Sequence, residues 1–214
     1  MATKRPRRRD GTESRRTAIL AAARCVFARN GFADTNVDDI AAEAKVAKGT
    51  IYLYFPSKQQ IYMAALLEDA RDLDLVSRQR IEAVPHWHDK VRTYIEVRLE
   101  YLTSHPEFLR IYLAEIRSMM LRGAPTYPEF FQLVRESELQ LAQMFAAASA
   151  RGEIRDVDPE LAALTVIDLT RGMMERRLLA WCRTQDCDVE FALDLLSHSL
   201  ATSPASRKKR ARSQ

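Results

Sequence analysis

The chain has 214 residues, of which 47% are hydrophobic and 29% charged, enough for one large or two modest domains with a real core. No uncharged apolar stretch approaches the roughly 18 residues that a membrane span needs, and the basic N-terminus lacks the apolar segment of a secretion signal. Three cysteines without a disulfide framework are typical of a reducing cytoplasm. These features exclude a membrane-spanning protein and favour a folded cytoplasmic one.

Charge is unevenly distributed along the chain. Residues 1–16 and residues 203–214 each carry a net charge of +5, whereas the whole chain carries +4, so the body between them is acidic. The ranges 1–12 and 203–214 contain few apolar residues and are predicted to be disordered basic arms. Polyanion binding is the commonest specific use of such arms, although basic tails also serve solubility.

The spacing of apolar residues, with only 6 glycines and 8 prolines, predicts an all-α fold of about nine helices. Gly31 supplies a left-handed stop, Thr35 or Asn36 a cap for the second helix, and Asp158-Pro159 a strong start. Pro56 disfavours helix at the residue before it. The predicted helices, in chain order, are about 14–30, 37–44, 47–55, 58–84, 86–104, 106–121, 128–151, 159–182 and 188–200.

The second and third predicted helices, joined by a tight turn around Lys45-Val46, describe a helix-turn-helix. Inward packing is predicted for Ile40, Ala41, Val46, Ile51 and Phe55. Lysines, small residues and hydroxyls are then left near the start of the third helix, where they can approach phosphates and base edges. A glycine inside a helix costs roughly 1 kcal/mol against alanine, so close approach to a partner is a plausible reason for Gly49.

The stretch at 31–62, GFADTNVDDIAAEAKVAKGTIYLYFPSKQQIY, resembles the DNA-binding domain of the TetR (tetracycline-repressor) family of bacterial transcription regulators. The shared pattern is Gly-aromatic, a cap before a short helix, Ile-Ala, Val-x-Lys-Gly-Thr, Tyr-x-Tyr-Phe and a lysine after the turn. Asn36 and Ala47 depart from it, because the family usually has threonine or serine at the first position and serine at the second. The resemblance covers about residues 13–73 and implies a three-helix DNA-binding domain, followed at 74–202 by a helical domain that dimerises and binds an effector.

By this resemblance, seven residues would contact DNA. Those that would read the major groove are Lys48, Gly49, Thr50 and Tyr52, and those that would hold phosphates are Asn36, Tyr54 and Lys58. The alternative for the two tyrosines is packing in a three-helix core, since aromatic residues at helical spacing are more often core than site.

The helix predicted after Pro159 is apolar on more than one side, so more than one side should be buried. In the TetR family the last two helices of each subunit form the interface of a homodimer, and the resemblance implies the same here. The predicted interface residues are Ile167, Gly172, Met174, Leu178, Trp181 and Leu196. A core confined to one chain is the alternative.

Arg98 stands in an aromatic stripe, where an arginine is expensive to bury without a partner. One interpretation is an ion pair with Glu115, which is similarly placed on the next helix; the other is that Arg98 binds an anionic effector. The candidate effector-binding residues are Trp87, Tyr94, Arg98, Tyr101, Tyr112, Met119, Phe130 and Phe131.

The predicted function is a ligand-responsive transcription repressor, a homodimer released from an inverted-repeat operator in double-stranded DNA by an unknown small molecule. The alternative is an architectural DNA-binding protein without an effector. No Gly-rich phosphate loop and no nucleophile beside a base occur in local sequence, so no catalytic residue and no cofactor are predicted. His86, His88, Cys182 and Cys187 lack the spacing of a metal site. The expected location is the bacterial cytoplasm, on the nucleoid when bound to DNA.

Overall fold

The computed structural model describes residues 9–122, 127–179 and 187–201. Within these ranges the regular secondary structure consists of nine helices, joined by turns and loops. The all-α prediction is confirmed. The helices are α1 (Arg9–Asp34), α2 (Val37–Glu43), α3 (Lys48–Tyr54), α4 (Lys58–Glu82), α5 (Trp87–Ser104), α6 (Pro106–Arg122), α7 (Pro128–Ala150), α8 (Pro159–Leu178) and α9 (Cys187–Leu200). None of these helices is long and apolar enough to span a membrane.

Helix α1 begins at Arg9 rather than near Ser14, so it overlaps the predicted basic arm, whose disorder stays a prediction. A single glycine at position 11 weakens a helix but does not stop it, and no proline intervenes. Residues 1–8 and 202–214, which carry most of the predicted arms, lie outside the described residues. Regular helix geometry is interrupted at Gly31, whose φ of 76° and ψ of 170° are accessible essentially only to glycine.

Local capping explains where two long helices begin. The hydroxyl of Ser57 accepts a hydrogen bond from the Gln60 N–H at 3.2 Å, at the start of α4. The Asp158 carboxylate accepts from the N–H groups of Glu160 and Leu161 at 2.9 and 3.1 Å, with proline at the first position of α8. Both starts agree with the sequence-based prediction.

The contacts divide the chain into two compact units. The first unit comprises residues 1–70 and 105–130, and the second comprises residues 71–104 and 131–214. In the first unit α1 packs against α2 and α6, and α2 packs against α3; in the second, α5 packs against α8 and α9. Helix α6 therefore belongs with the N-terminal helices. The predicted domain boundary between residues 73 and 74 would make each domain one continuous range, and it stays a prediction.

Each unit has its own apolar core. Of the five residues predicted to hold α2 and α3 together, four are buried in the first unit: Ile40, Ala41, Ile51 and Phe55. The fifth, Val46, is half-buried. Fully buried side chains of the first unit include Ile19, Leu20, Ile61, Leu66 and Phe108, and those of the second include Ile95, Leu102, Phe145, Ile154 and Leu193.

Candidate DNA-reading surface and ligand cavity

Helix α2 starts with a reciprocal cap. The Asn36 side-chain oxygen accepts from the Asp38 N–H at 3.1 Å, and the Asp39 carboxylate accepts from the Asn36 N–H at 3.4 Å. Thr35, the other predicted cap, instead donates its hydroxyl to the Gly31 carbonyl at 2.7 Å. The cap therefore fixes an exposed amide side chain at the start of α2, as expected of a polar group positioned beside a phosphate.

The turn between α2 and α3 is held by two backbone hydrogen bonds. The Val46 N–H donates to the Ala41 carbonyl at 3.0 Å, and the Lys45 N–H donates to the Ala42 carbonyl at 3.1 Å. This is a Schellman arrangement, whose left-handed position is usually glycine. Here that position is Lys45, with a φ of 55°. The turn therefore contains local strain that a glycine would relieve.

Helix α3 presents an exposed face to solvent. Gly49, Tyr52 and Leu53 share this face, since they are spaced by three and four residues, and Tyr52 and Leu53 are 45% and 84% exposed. Thr50 and Tyr54 are half-buried beside it. Packing in a three-helix core, the alternative considered for the tyrosines, therefore does not describe Tyr52.

The sequence-based prediction overlooked Leu53 as a candidate contact. The signal was available, because Leu53 follows Gly49 by four residues and so falls on the same helix face. An exposed leucine there is also the apolar group that a thymine methyl would contact in the major groove. We give the name DNA-reading surface to the residues that are candidates for contact with DNA, and this assignment stays a prediction: Asn36, Lys48, Gly49, Thr50, Tyr52, Leu53 and Tyr54.

The packing of the chain does not itself require glycine at position 49. A Cβ added there would meet nothing within 4 Å. The first turn of α3 also begins without a side-chain cap, because Ala47 has no hydroxyl to offer. Helix α3 is therefore built from residues that are locally suboptimal for helix stability, as expected where a helix surface is selected for contact with another molecule.

Lys48 forms an ion pair across the helix-turn-helix. Its Nζ donates to Asp38 Oδ2 at 2.8 Å, and both side chains are about half exposed. This hydrogen bond raises the pKa of the Lys48 ammonium above its ordinary value. The ammonium is thus held at the start of α3, with two of its three N–H groups still available to other acceptors.

Lys58 has a structural role that the sequence did not predict. Its Nζ donates to the carbonyls of Phe32, Ala33 and Thr35 at 2.8, 3.1 and 2.8 Å and lies 4.7 Å from the centroid of the Phe32 ring. The three donors of the ammonium are therefore occupied. A lysine at the first position of α4 is unfavourable for α4 but favourable for the negative C-terminal end of α1, so no anion is needed to explain it. We call this arrangement the Lys58 clamp.

A cavity of about 400 Å³ lies within the second unit. It is lined by α4, α5 and α7, and the predicted effector residues Tyr94 and Arg98 are among its walls. Arg98 is 9% exposed. Burial raises the pKa of the Tyr94 phenol, which therefore stays neutral at physiological pH. The volume is within the range of small-molecule sites.

Two family models match this chain, one over the helix-turn-helix and one over helices that follow it. Residues 19–65 match the family described as "Bacterial regulatory proteins, tetR family", and residues 85–175 match the "Tetracyclin repressor-like, C-terminal domain". The chain belongs to the TetR family. The two ranges together span more than half of it, and the first contains the whole DNA-reading surface.

Known relatives of this TetR-family protein are regulators. The HTH-type transcriptional regulator EthR of Mycolicibacterium smegmatis is 29% identical over 174 residues, which cover 80% of this chain and 76% of EthR. UidR of Escherichia coli K12 is 27% identical over 164 residues, 74% of this chain and 79% of UidR. The solved structure of FadR from Bacillus subtilis in complex with stearoyl-CoA has a TM-score of 0.71 at 22% identity, covering 84% of this chain and 96% of that one. The chain is therefore a DNA-binding transcription regulator of the helix-turn-helix type, and its fold is that of the FadR structure.

The other predicted effector residues of this TetR-family protein do not line the cavity. Tyr112 and Phe130 pack edge-to-face in the first unit, with ring centroids 5.6 Å apart, and Met119 belongs to that unit as well. Trp87 contacts Phe145 in the core of the second unit at 6.4 Å. Tyr101 is half-buried on α5, and Phe131 is 40% exposed on α7. Tyr94 and Arg98 therefore line this cavity, and the assignment of the other residues to an effector site stays a prediction.

The structure does not contain the ion pair between Arg98 and Glu115 that was one of the two interpretations of these residues. Arg98 donates to the hydroxyls of Ser77 and Ser137, at 3.1 and 2.6 Å, whereas a carboxylate oxygen of Glu115 lies 3.6 Å from Arg122. In the described part of the chain no carboxylate oxygen lies within 4.0 Å of an Arg98 nitrogen. Helical spacing identified both residues as buried charges but could not identify their partners.

The predicted dimer residues differ in their burial, and the interface itself stays a prediction. Met174 and Leu196 are buried within their own chain, so their side chains are not available to a partner. Ile167, Gly172 and Leu178 are half-buried, and Trp181 lies outside the described residues. The large apolar side chains exposed on α8, on its C-cap residue and on α9 are Leu161, Leu164, Leu179, Phe191 and Leu195.

Proposed function

We propose that this protein is a homodimeric transcription repressor that binds an inverted-repeat operator through α3 and releases it when a small-molecule effector enters the cavity. The exposed face of α3 is the observation that carries the proposal. Tyr52 and Leu53 are large apolar side chains left in solvent on a helix whose opposite face, at Ile51, is fully buried. Two large exposed side chains next to each other beside Lys48 and Thr50 are suited to contact with another molecule, and Leu53 is suited to a thymine methyl.

Each residue of the DNA-reading surface has a role in this proposal. Gly49 lets the helix backbone approach the groove, and Thr50 and Tyr52 offer hydroxyls to base edges. Leu53 provides the apolar contact to a thymine methyl. Lys48 donates to base acceptors, while Asn36 and Tyr54 hold phosphates. Lys58 is left out, because its three N–H groups are already bound.

A second copy of the chain would cover the exposed stripe of α8 and α9. Leu161 and Leu164 lie on one helix and Phe191 and Leu195 on the other, and Phe191 is 71% exposed. Two-fold pairing of such a stripe is self-complementary. It gives the two α3 helices the symmetry of an inverted repeat, whose half-sites lie about one turn of DNA apart.

Helix α4 offers a physical route from effector to DNA. It is one continuous helix, whose first residue forms the Lys58 clamp and whose last turns line the cavity at Asp74, Ser77 and Arg78. A ligand that contacts the cavity wall thus acts on the same helix that holds the end of α1. The fold of the Bacillus subtilis regulator crystallised with stearoyl-CoA supports a ligand-responsive role. An architectural protein without an effector would have no use for the cavity.

The test begins with selection of bound duplexes from a random-sequence pool by the full-length protein. The selected sites should be inverted repeats, and light scattering of the complex should give at least two protomers per duplex. Phe191→Glu should yield a monomer that loses most operator affinity, because it places a charge in the stripe. Leu121→Glu, at a leucine that is 83% exposed on α6, should leave the dimer intact. Sites without symmetry, or a wild-type monomer on DNA, would overturn the proposal.

A further inference from the structure

Arg98 is a buried cation whose hydrogen-bond acceptors are uncharged. Its guanidinium lies 3.6 Å from the centroid of the Tyr94 ring and donates to two neutral hydroxyls, those of Ser77 and Ser137. Burying a guanidinium is costly unless a negative charge compensates it. Hydroxyl dipoles and an aromatic face recover only part of that cost.

Neither carboxylate of the cavity lining, Asp74 or Glu82, is within 4.0 Å of the Arg98 guanidinium among the described residues. Asp74 accepts from Arg78 Nε at 2.6 Å, and a rearrangement that gave it to Arg98 would leave Arg78 without this partner. Glu82 is the last residue of α4. The counter-charge for Arg98 is therefore expected from outside the chain.

The charges of the cavity walls favour an anion. Four cationic side chains line it, against the two carboxylates of Asp74 and Glu82. Arg78 and Arg151 are neutralised by carboxylates of the chain, whereas Arg98 and Lys90 have none within 4.0 Å among the described residues. Lys90 donates instead to the Ile81 carbonyl at 2.9 Å.

The rest of the lining is apolar and adaptable. Ile81, Leu141, Met144 and Ala147 contribute to the walls, and methionine adjusts readily to ligands of different shape. A small inorganic ion would leave this surface uncovered. An anionic group joined to an apolar body would satisfy both parts of the cavity.

We propose that the cavity binds an amphipathic organic anion, with its carboxylate on Arg98 and its apolar body against Leu141 and Met144. The planar guanidinium matches a carboxylate in two-point geometry, and Lys90 adds a second positive charge. This inference rests on the proposed function, because it names the chemical class of the effector. It concerns binding to the second unit alone and can be measured without DNA.

The experiment compares hexanoate with hexanamide, which has the same carbon chain without the charge, and with inorganic phosphate, which has the charge without the chain. Binding to the full-length dimer is measured by calorimetry and by the shift in melting temperature. Hexanoate should bind about tenfold or more tighter than hexanamide, as expected when a charged hydrogen bond is lost, and tighter than phosphate. Equal binding of hexanoate and hexanamide, or no binding of hexanoate, would overturn the proposal.

Two arginine variants of the same cavity then locate the contact. Arg98→Gln should lose the advantage of hexanoate over hexanamide, while Arg151→Gln, whose guanidinium is bound to Glu153 at 2.5 Å, should keep it. If both variants lose the advantage of hexanoate over hexanamide equally, the role of Arg98 is overturned. If Arg98→Gln does not fold, the comparison of the two probes on the wild type decides alone. Hexanoate that binds through Arg98 without weakening operator affinity would uphold the anion site and contradict the proposed release mechanism.

Discussion

Replacing Lys58 by methionine should destabilise the protein, because the change removes the ammonium but keeps most of the apolar stem. Three hydrogen bonds to carbonyls and one contact with the Phe32 ring are lost. The carbonyls of Phe32 and Ala33 are exposed and regain water. The Thr35 carbonyl is partly buried, so losing the hydrogen bond to it should account for most of the decrease in the free energy of unfolding.

The expected magnitude follows from these contacts. A charged hydrogen bond to a partly buried acceptor contributes about 1.5–3 kcal/mol, and an exposed cation–π contact about 0.5–1 kcal/mol. The two exposed carbonyls contribute little beyond this. Lys58→Met should therefore lower the free energy of unfolding by about 2–4 kcal/mol.

Urea denaturation of the purified full-length variants measures this change. Gln59→Met, at the exposed neighbouring residue, is the matched control and should stay within about 0.5 kcal/mol of the wild type. DNA affinity of Lys58→Met, measured well below the unfolding transition, should fall less than that of a Thr50→Ala variant. A variant of wild-type stability that has lost operator binding would refute the Lys58 clamp and restore Lys58 as a phosphate ligand.

Three further substitutions test the helix-turn-helix. Ala47→Ser should stabilise the chain by about 0.5–2 kcal/mol, because it supplies the missing cap of α3; an unchanged urea midpoint would contradict this. Lys45→Gly should raise the free energy of unfolding by about 0.5–1 kcal/mol, since glycine accepts a positive φ without strain. A decrease in the free energy of unfolding would contradict this prediction. Asp38→Asn removes the carboxylate that neutralises Lys48, so one more positive charge beside DNA is uncompensated, and the logarithmic salt dependence of DNA binding should steepen by up to about 0.9, the value for one neutralised phosphate. Asp34→Asn removes the same charge at an exposed residue outside the DNA-reading surface, so equal slopes for both variants would exclude the ion pair as the cause.

Helix limits could be predicted from sequence because local chemistry determines them. The positive φ of Gly31, the Asn36 cap and the Asp158-Pro159 start depend on residues close together in the chain. The start of α1 was misplaced because nothing local marks it. The DNA-reading surface could be proposed from sequence because α2, the turn and α3 form one short continuous segment, and its contact with DNA stays a prediction.

Partners distant in sequence could not be predicted in this way. The carbonyls that bind Lys58 precede it by 23 to 26 residues, and Ser137 follows Arg98 by 39. Helical spacing shows that a residue is buried but not which element covers it. Met174 and Leu196 were therefore assigned to a partner chain although their own chain buries them, and α6 gave no sign in sequence that it packs against α1.

The proposal that the DNA-reading surface reads DNA sequence is tested most directly by Thr50→Ala, at a residue half-buried beside the exposed face of α3. The measurement is the affinity for the selected operator and for a scrambled duplex of equal length, beside the melting temperature. Operator affinity should fall by about 1–3 kcal/mol, the contribution of one base contact, while scrambled-duplex affinity and melting stay unchanged. Full operator affinity in both Thr50→Ala and Lys48→Ala would contradict the account, because the reading surface would then lie elsewhere.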